Sequence, residues 1–491
     1  MPLITLDIPP GIVRNGTDLE SSGRWRDASL IRWRNNSLRP VGGWDSRKTA
    51  AASQPPRGAV TWLDNSGSIH YAFGTADGLF TSIESNTIID ITPAGLTSGN
   101  INATENLGYG GNFYGKEYYG TIRNAGIPEE CTTWSLDNWG EYLVACSSDD
   151  GKLYQWQLDN AANGVLVSNA PTGNTSIMVT EERFVFCLGA GGNPRKVQWS
   201  DREDIDTWTP SATNEAGDLE LQTSGKIMQG VRIRGRALII TTTDAHVASY
   251  SGPPVVYGFE RAGTACGGIS RQSAVAVDEG AFWMGQKAFF LYNGSSVQEL
   301  PCDVADYVFD DINNSQASKV CAVHNSQYGE VWWFYPSRDS QENNRYVSYN
   351  YQQNYWMIGN LARTAAVDRG VFRYPMWFDP SANIFDHEVS LSHDGDDIFV
   401  ESGPIFVGEG ENVVKVTELI PDEKTQGQVT ATFKTRFYPN ATESSHGPFT
   451  MENPTSVRFT GRQLRMRLTG SDLTDFRVGN MRLDVKTGGR R

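Results

Sequence analysis

The sequence predicts an all-β protein, an irregular β-propeller of about six blades joined to a further β-sheet or sandwich-like domain. Three observations predict it. Apolar and aromatic runs of strand length recur in pairs across short Gly, Asn or Asp turns, as in 59–80, 133–156 and 281–294, at intervals of roughly 40 to 60 residues. Glycine accounts for 50 of the 491 residues and aromatics for 11%, a composition rich in turns and in strand-forming side chains. No heptad or amphipathic helical stripe of useful length interrupts this pattern.

Each segment supports a part of that architecture. Residues 1–50 read as an arm with short strands of its own, in which Leu30 to Arg34 and Leu38 to Trp44 flank a turn at Asn35-Asn36. Residues 51–384 carry the blades, with Trp62, Trp134, Trp156, Trp283, Trp332 and Trp333 expected in their cores. Loop insertions are expected at about 105–131, which is rich in Gly and Tyr, and at 250–275, which holds Gly252-Pro253-Pro254 and Gly267-Gly268. After 385 the alternation lengthens, as from Val429 to Phe437. Residues 385–491 therefore read as a C-terminal β docking domain that the N-terminal segment helps to build.

Composition bounds the function. No apolar run reaches the roughly 18 residues of a membrane span, and the first residues lack the pattern of a signal peptide, so a soluble protein folding in a cytoplasm is expected. Six isolated cysteines with no CxxC spacing read as buried free thiols. The net charge of -15 is unevenly spread. Residues 1–50 carry 8 basic and 5 acidic side chains, residues 431–491 carry 11 and 5, and the body between holds 23 and 47. Such asymmetry concerns surfaces and partners rather than fold. In the tail, Arg458, Arg462, Arg465, Arg467, Arg477 and Arg482 alternate with apolar residues, which makes them candidates for pairing with carboxylates on a neighbouring subunit or an adaptor. An ordinary charged strand surface is the alternative.

Catalytic signatures are lacking: there is no nucleophile elbow, P-loop or H-E-x-x-H. The pair His387 and His393, with nearby acids, offers metal-ligand chemistry. On one straight strand, however, six residues span about 20 Å, and His393-Asp394-Gly395-Asp396 reads more simply as an exposed polar turn. Carboxylate pairs of glycosidase type are uninformative among 57 acidic residues. No catalytic residue, metal or cofactor is expected.

The run Ser29-Leu30-Ile31-Arg32-Trp33-Arg34-Asn35-Asn36-Ser37-Leu38-Arg39-Pro40-Val41-Gly42-Gly43-Trp44 resembles the opening of tail nozzle proteins of short-tailed (podovirus) phages, a family that includes the packaged-DNA stabilisation proteins and tail tubular protein B. Similar in character are 195–201 with Trp208 and Ala216-Gly217-Asp218, and the stretches 282–285 and 330–336. The resemblance spans most of the chain through many short matches.

It implies a structural, non-enzymatic virion protein that is folded and assembled in the host cytoplasm. Six copies would form a ring at the distal end of the tail, docked on the head–tail adaptor below the portal, with fibres or spikes at its side. Duplex DNA would be retained in the lumen and conducted through it without sequence specificity. On this view Tyr109, Phe113, Tyr114, Tyr118 and Tyr119 are candidates for a gate or fibre-docking loop. Two other readings stand beside it: a propeller that binds or hydrolyses glycans, and a monomeric adaptor that binds a protein on its central face.

Overall fold

The computed structural model describes residues 3–48, 52–84, 87–104, 129–278, 280–406, 412–424 and 427–489. The protein is nearly all β. Among the described residues, seven antiparallel four-stranded sheets are arranged as blades around an axis. Their innermost strands are Ala59–Leu63, Trp134–Trp139, Ser176–Val179, Ile227–Ile233, Ala274–Val277, Cys321–Asn325 and Ala365–Val367, and each packs against the next until the seventh meets the first. The cause is visible in single strands. In Glu330–Tyr335 both faces are buried, because a blade is covered by a blade on either side, so the strand reads as a continuous aromatic run rather than an alternation. The six predicted core tryptophans are all buried.

There are seven blades rather than about six, and the reason lies at the chain ends. The last blade takes three strands from Ala365–Val367, Met376–Phe378 and Ile384–Ser390, and its outermost strand is Gly43–Lys48 from the N-terminal region. Trp44 pairs with His387 and Gly43 with Ser390. The ring is thus closed by hydrogen bonds between distant segments, which leaves no free join between first and last blades. Gly43 is required there, since a Cβ would lie 2.2 Å from the Ser392 carbonyl oxygen. Residues 43–48 therefore belong to the propeller rather than to a separate 1–50 arm, and the propeller continues past 384 to Ser390.

The expected loop insertion at 250–275 is corrected over 250–264, whereas 265–273, with Gly267-Gly268, does run as a connection outside the strands. Asp244–Gly252 and Val256–Thr264 form a long hairpin, the two outer strands of the fourth blade, and Pro253-Pro254 sits at its tip. Proline there interrupts no ladder because the turn needs no donor. The expectation for 105–131 falls almost wholly outside the described residues. Its flanks are held together where Thr104 and Glu129 exchange backbone hydrogen bonds.

The remaining strands make a two-sheet sandwich to which both chain ends contribute. One sheet has the order Leu3–Leu6, Met481–Thr487, Val414–Ile420, Thr455–Gly461. The other runs Trp25–Ser29, Phe399–Ser402, Gln463–Gly470, Val429–Arg436, Ser444–Thr450, with Ile405–Phe406 beside Gln463–Gly470. Strict alternation fills the space between them, and Phe433 stacks on Phe459 at 4.7 Å between ring centres. The N-terminal hairpin Ile31–Arg34 and Ser37–Pro40 turns on Asn35 and Asn36, both at positive φ, the combination that matches strand twist in a two-residue turn. The hairpin region fastens the sandwich to the sixth blade, where Trp33 meets Tyr355 edge to face.

Candidate functional site

The propeller axis encloses a cavity of about 330 Å³, lined by the inner strands of all seven blades. Its lining mixes apolar side chains such as Val60, Leu136 and Ala322 with the polar Ser135, Gln229 and Gln272. One end is marked by Asp137 and Arg232, paired at 2.9 Å. Burial pushes the Asp137 carboxyl up, opposed by Arg232 and by the backbone N–H groups of Val179 and Asn138.

The other end is the mouth, where the chain enters each innermost strand. Here Arg57, Lys226, Arg271 and Lys319 each stand within three positions of the start of such a strand. They form two groups. Glu342 takes Arg57 at 2.6 Å and Lys319 at 2.9 Å; Lys319 also donates to the Gln341 carbonyl at 2.6 Å and to Asn102. Glu130 takes both Lys226 and Arg271. Burial and the neighbouring Arg57 lower the Lys319 pKa against the pull of Glu342. Burial raises the Glu130 pKa, but Arg271 and Lys226 outweigh it and hold the carboxyl below its usual range.

Two contacts join the groups into one frame. The Gln272 amide donates to the Arg57 and Trp134 carbonyls, and the Cys131 N–H donates to Ser318 Oγ beside Lys319. Outside the mouth lies a second cavity of about 740 Å³, lined by Glu130, Lys226, Lys287, Asp306, Asp310 and Ser318 among others.

Sequence reasoning missed this mouth, although a signal was present. A basic residue recurs one to three positions ahead of four inner strands, and Arg363 repeats it before the seventh blade. It is visible only once the strands are ranked by depth in their blades.

The predicted gate residues Tyr109, Phe113, Tyr114, Tyr118 and Tyr119 lie outside the described residues. The six arginines separate into kinds. Arg465 and Arg467 are turned inward on the chain itself: with Lys434 they surround Glu401, at 2.7, 3.6 and 2.9 Å. Arg467 also lies over the Phe399 ring, 3.5 Å from its centre. Their carboxylate partner is thus within the same sheet rather than on another subunit. Arg462 lies over Tyr438 and Arg477 pairs with Asp475.

Arg458 and Arg482 are exposed on the outer face of the other sheet, together with Lys415 and Lys486. Lys415 and Lys486 are directly opposite across a strand pair, where like charges are unfavourable in isolation.

The histidine pair departs from expectation. His387 and His393 are both buried, and both pack on the Trp44 ring, at 5.1 and 5.4 Å. A register shift between His387 and Ser390 bends the chain, so the straight-strand distance does not apply; the turn His393-Asp394-Gly395-Asp396 is present, closed by the Asp396 N–H on the His393 carbonyl and exposed from Asp394 on, but the His393 ring is buried. Arg363 Nε–H donates to His387 Nε2, which keeps that ring neutral; burial first, then Arg363 and His393, pushes its pKa far down. Among the described residues no group of three or more His, Cys, Asp or Glu side chains is placed to hold a metal ion.

No protein-family model matches the chain, and no curated protein matches it in sequence. Solved structures similar to it include a streptogramin B lyase, 8% identical over 71% of this chain and 97% of that one, with a TM-score of 0.42. The virginiamycin B lyase of Staphylococcus aureus is 8% identical over 72% and 98%, with a TM-score of 0.41. The WD40 propeller domain of Doa1 is 9% identical over 70% and 97%, with a TM-score of 0.42. These are likenesses of propeller architecture and do not bear on activity.

Proposed function

We propose that the chain is a structural subunit of the nozzle at the distal end of a short-tailed phage tail. Copies assemble into a ring, six following the family resemblance, which docks on the head–tail adaptor and carries fibres or spikes. The ring retains and conducts duplex DNA without turnover. The observation that carries this reading is the division between two units. One is a closed propeller with a small axial cavity. The other is a sandwich built from both chain ends, with Lys415, Arg458, Arg482 and Lys486 directed outward. A cavity of 330 Å³ has the volume of a small ligand, so the DNA path in such an assembly runs between subunits.

Charge supports the same reading. On the propeller face opposite the mouth, turns of the first three blades expose Glu84, Asp159, Glu181, Glu203 and Asp206, with Arg183 and Arg202 interspersed. A surface of this sign repels phosphate and lets a duplex slide, whereas a basic one holds it through counterion release. The test is the double variant Arg458→Glu and Arg482→Glu, mixed with the portal–adaptor complex. The variant should fold as the parent does yet fail to join the complex. Joining with parental affinity removes the sandwich face from the docking role.

The second reading, a glycan-binding or glycan-hydrolysing propeller, draws on the axial cavity. Saturable glycan binding that is lost in Asp137→Asn favours it.

A further inference from the structure

We infer that the propeller mouth carries a self-made covalent cross-link, an isopeptide bond from Lys319 Nζ to the side-chain carbonyl carbon of Asn102. The inference goes beyond the tail-nozzle reading and does not rest on it.

The three groups that such a bond needs stand together. The nucleophile is Lys319, whose side chain is 0% exposed. No other lysine is buried among the described residues. Burial first, then the neighbouring Arg57, lowers the Lys319 pKa against the pull of Glu342, which favours the neutral amine that attacks a carbonyl. The electrophile is the Asn102 carboxamide. Lys319 Nζ donates to its Oδ1, one bond away from the carbon to be attacked. The proton carrier is Glu342, whose Oε1 lies 2.9 Å from Nζ.

Both reacting side chains are held in place. Ala103, next to Asn102, exchanges two hydrogen bonds with the buried Gln316 side chain: its N–H donates to Oε1 and its carbonyl accepts from Nε2, each at 3.0 Å. Gln316 and Lys319 belong to one turn, Asn314–Lys319. Lys319 Nζ also donates to the Gln341 carbonyl at 2.6 Å, and the Asn343 amide donates to the Lys319 carbonyl at 2.9 Å. Arg57 Nη2 holds both oxygens of Glu342, at 2.6 and 2.5 Å. Fixed contact of this kind turns a collision into an intramolecular step. Asn102 is exposed, which gives the departing ammonia a way into solvent while Nζ stays dry.

The step balances without a co-reactant. Glu342 takes a proton from the Lys319 ammonium, the freed electron pair forms the Nζ–Cγ bond, and the carbonyl pair moves onto Oδ1. As the carbonyl re-forms, the Cγ–Nδ2 bond breaks. Nδ2 leaves as ammonia after taking a proton from Nζ, and Glu342 passes its own proton on, so that ammonium is released. An amine and an amide become a secondary amide and ammonium, with no change of oxidation state. The bond ties the connection between the first and second blades to the entry of the sixth, joining residues 217 positions apart.

The experiment is the intact mass of the purified full chain, measured in denaturant after incubation at mildly alkaline pH and followed by peptide mapping. A deficit of one ammonia and a branched peptide joining Asn102 to Lys319 are expected. Asn102→Ala, at an exposed position, should fold as the parent does and show its full calculated mass. Glu342→Gln keeps the shape and loses the proton carrier, so the deficit should disappear while the circular dichroism stays parental. A parent of full calculated mass overturns the inference. So does a deficit that persists in Asn102→Ala, which places the lost ammonia elsewhere, or one retained in folded Glu342→Gln.

Discussion

Arg32 and Glu330 form a two-point ion pair, 3.0 Å from Nε to Oε1 and 2.8 Å from Nη2 to Oε2, with the two side chains 4% and 0% exposed. The same guanidinium reaches Glu388 at 2.6 Å and lies against the Tyr328 ring. One N-terminal residue therefore ties the sixth blade to the seventh and the hairpin to both. Removing one partner of a buried pair leaves charge uncompensated, here two carboxylates. Arg32→Met should lower stability by about 3–5 kcal/mol, seen as a fall in the urea midpoint. Arg32→Lys should not restore it, because an ammonium cannot bridge both carboxylates with paired bonds. A parental midpoint for both variants contradicts this role.

Trp283 tests the blade core. It is fully buried, stacks on Phe290 and donates its indole N–H to the Cys266 carbonyl at 2.8 Å. Trp283→Ala should cost about 3–5 kcal/mol, read from the unfolding midpoint. An unchanged midpoint means the indole is not held as described.

These two sites also show what was legible in the sequence. Trp283 lies in an unbroken apolar strand, and such strands announce burial by themselves, so the propeller class and its core tryptophans could be read directly. Gly43–Lys48 could not be assigned to the last blade, because its partner Ile384–Ser390 is far away in sequence and nothing local records the pairing. The hairpin tip at Pro253-Pro254 mimicked a loop, since a turn and a long loop share composition. Arg465 and Arg467 alternated as strand residues should, but their partner Glu401 comes from a neighbouring strand that a linear reading does not reveal. The mouth cations were hidden for the same reason, being contributed by four blades.

Acid should reveal the mouth carboxylate. The Glu130 pKa is lowered because Arg271 and Lys226 outweigh its burial. A carboxyl with a depressed folded pKa adds stability above its unfolded pKa, about 4.3, and that stability is lost as pH falls through the lower folded value. Asp244 behaves alike: burial raises its pKa, but the Thr241 and Thr223 hydroxyls and the charge of His246 prevail. Parental Tm should therefore drop as pH is lowered below about 4.5. Glu130→Gln should show a lower Tm at neutral pH and a smaller drop in acid. Parallel curves for the two proteins would contradict the assignment.

The most direct test of the functional account is native mass of the purified chain, alone and after mixing with its portal–adaptor complex, with negative-stain images of any large species. A ring gained by the adaptor complex, near six times the 54.2 kDa chain, is the predicted result. A chain that stays monomeric and ignores the adaptor contradicts the nozzle assignment.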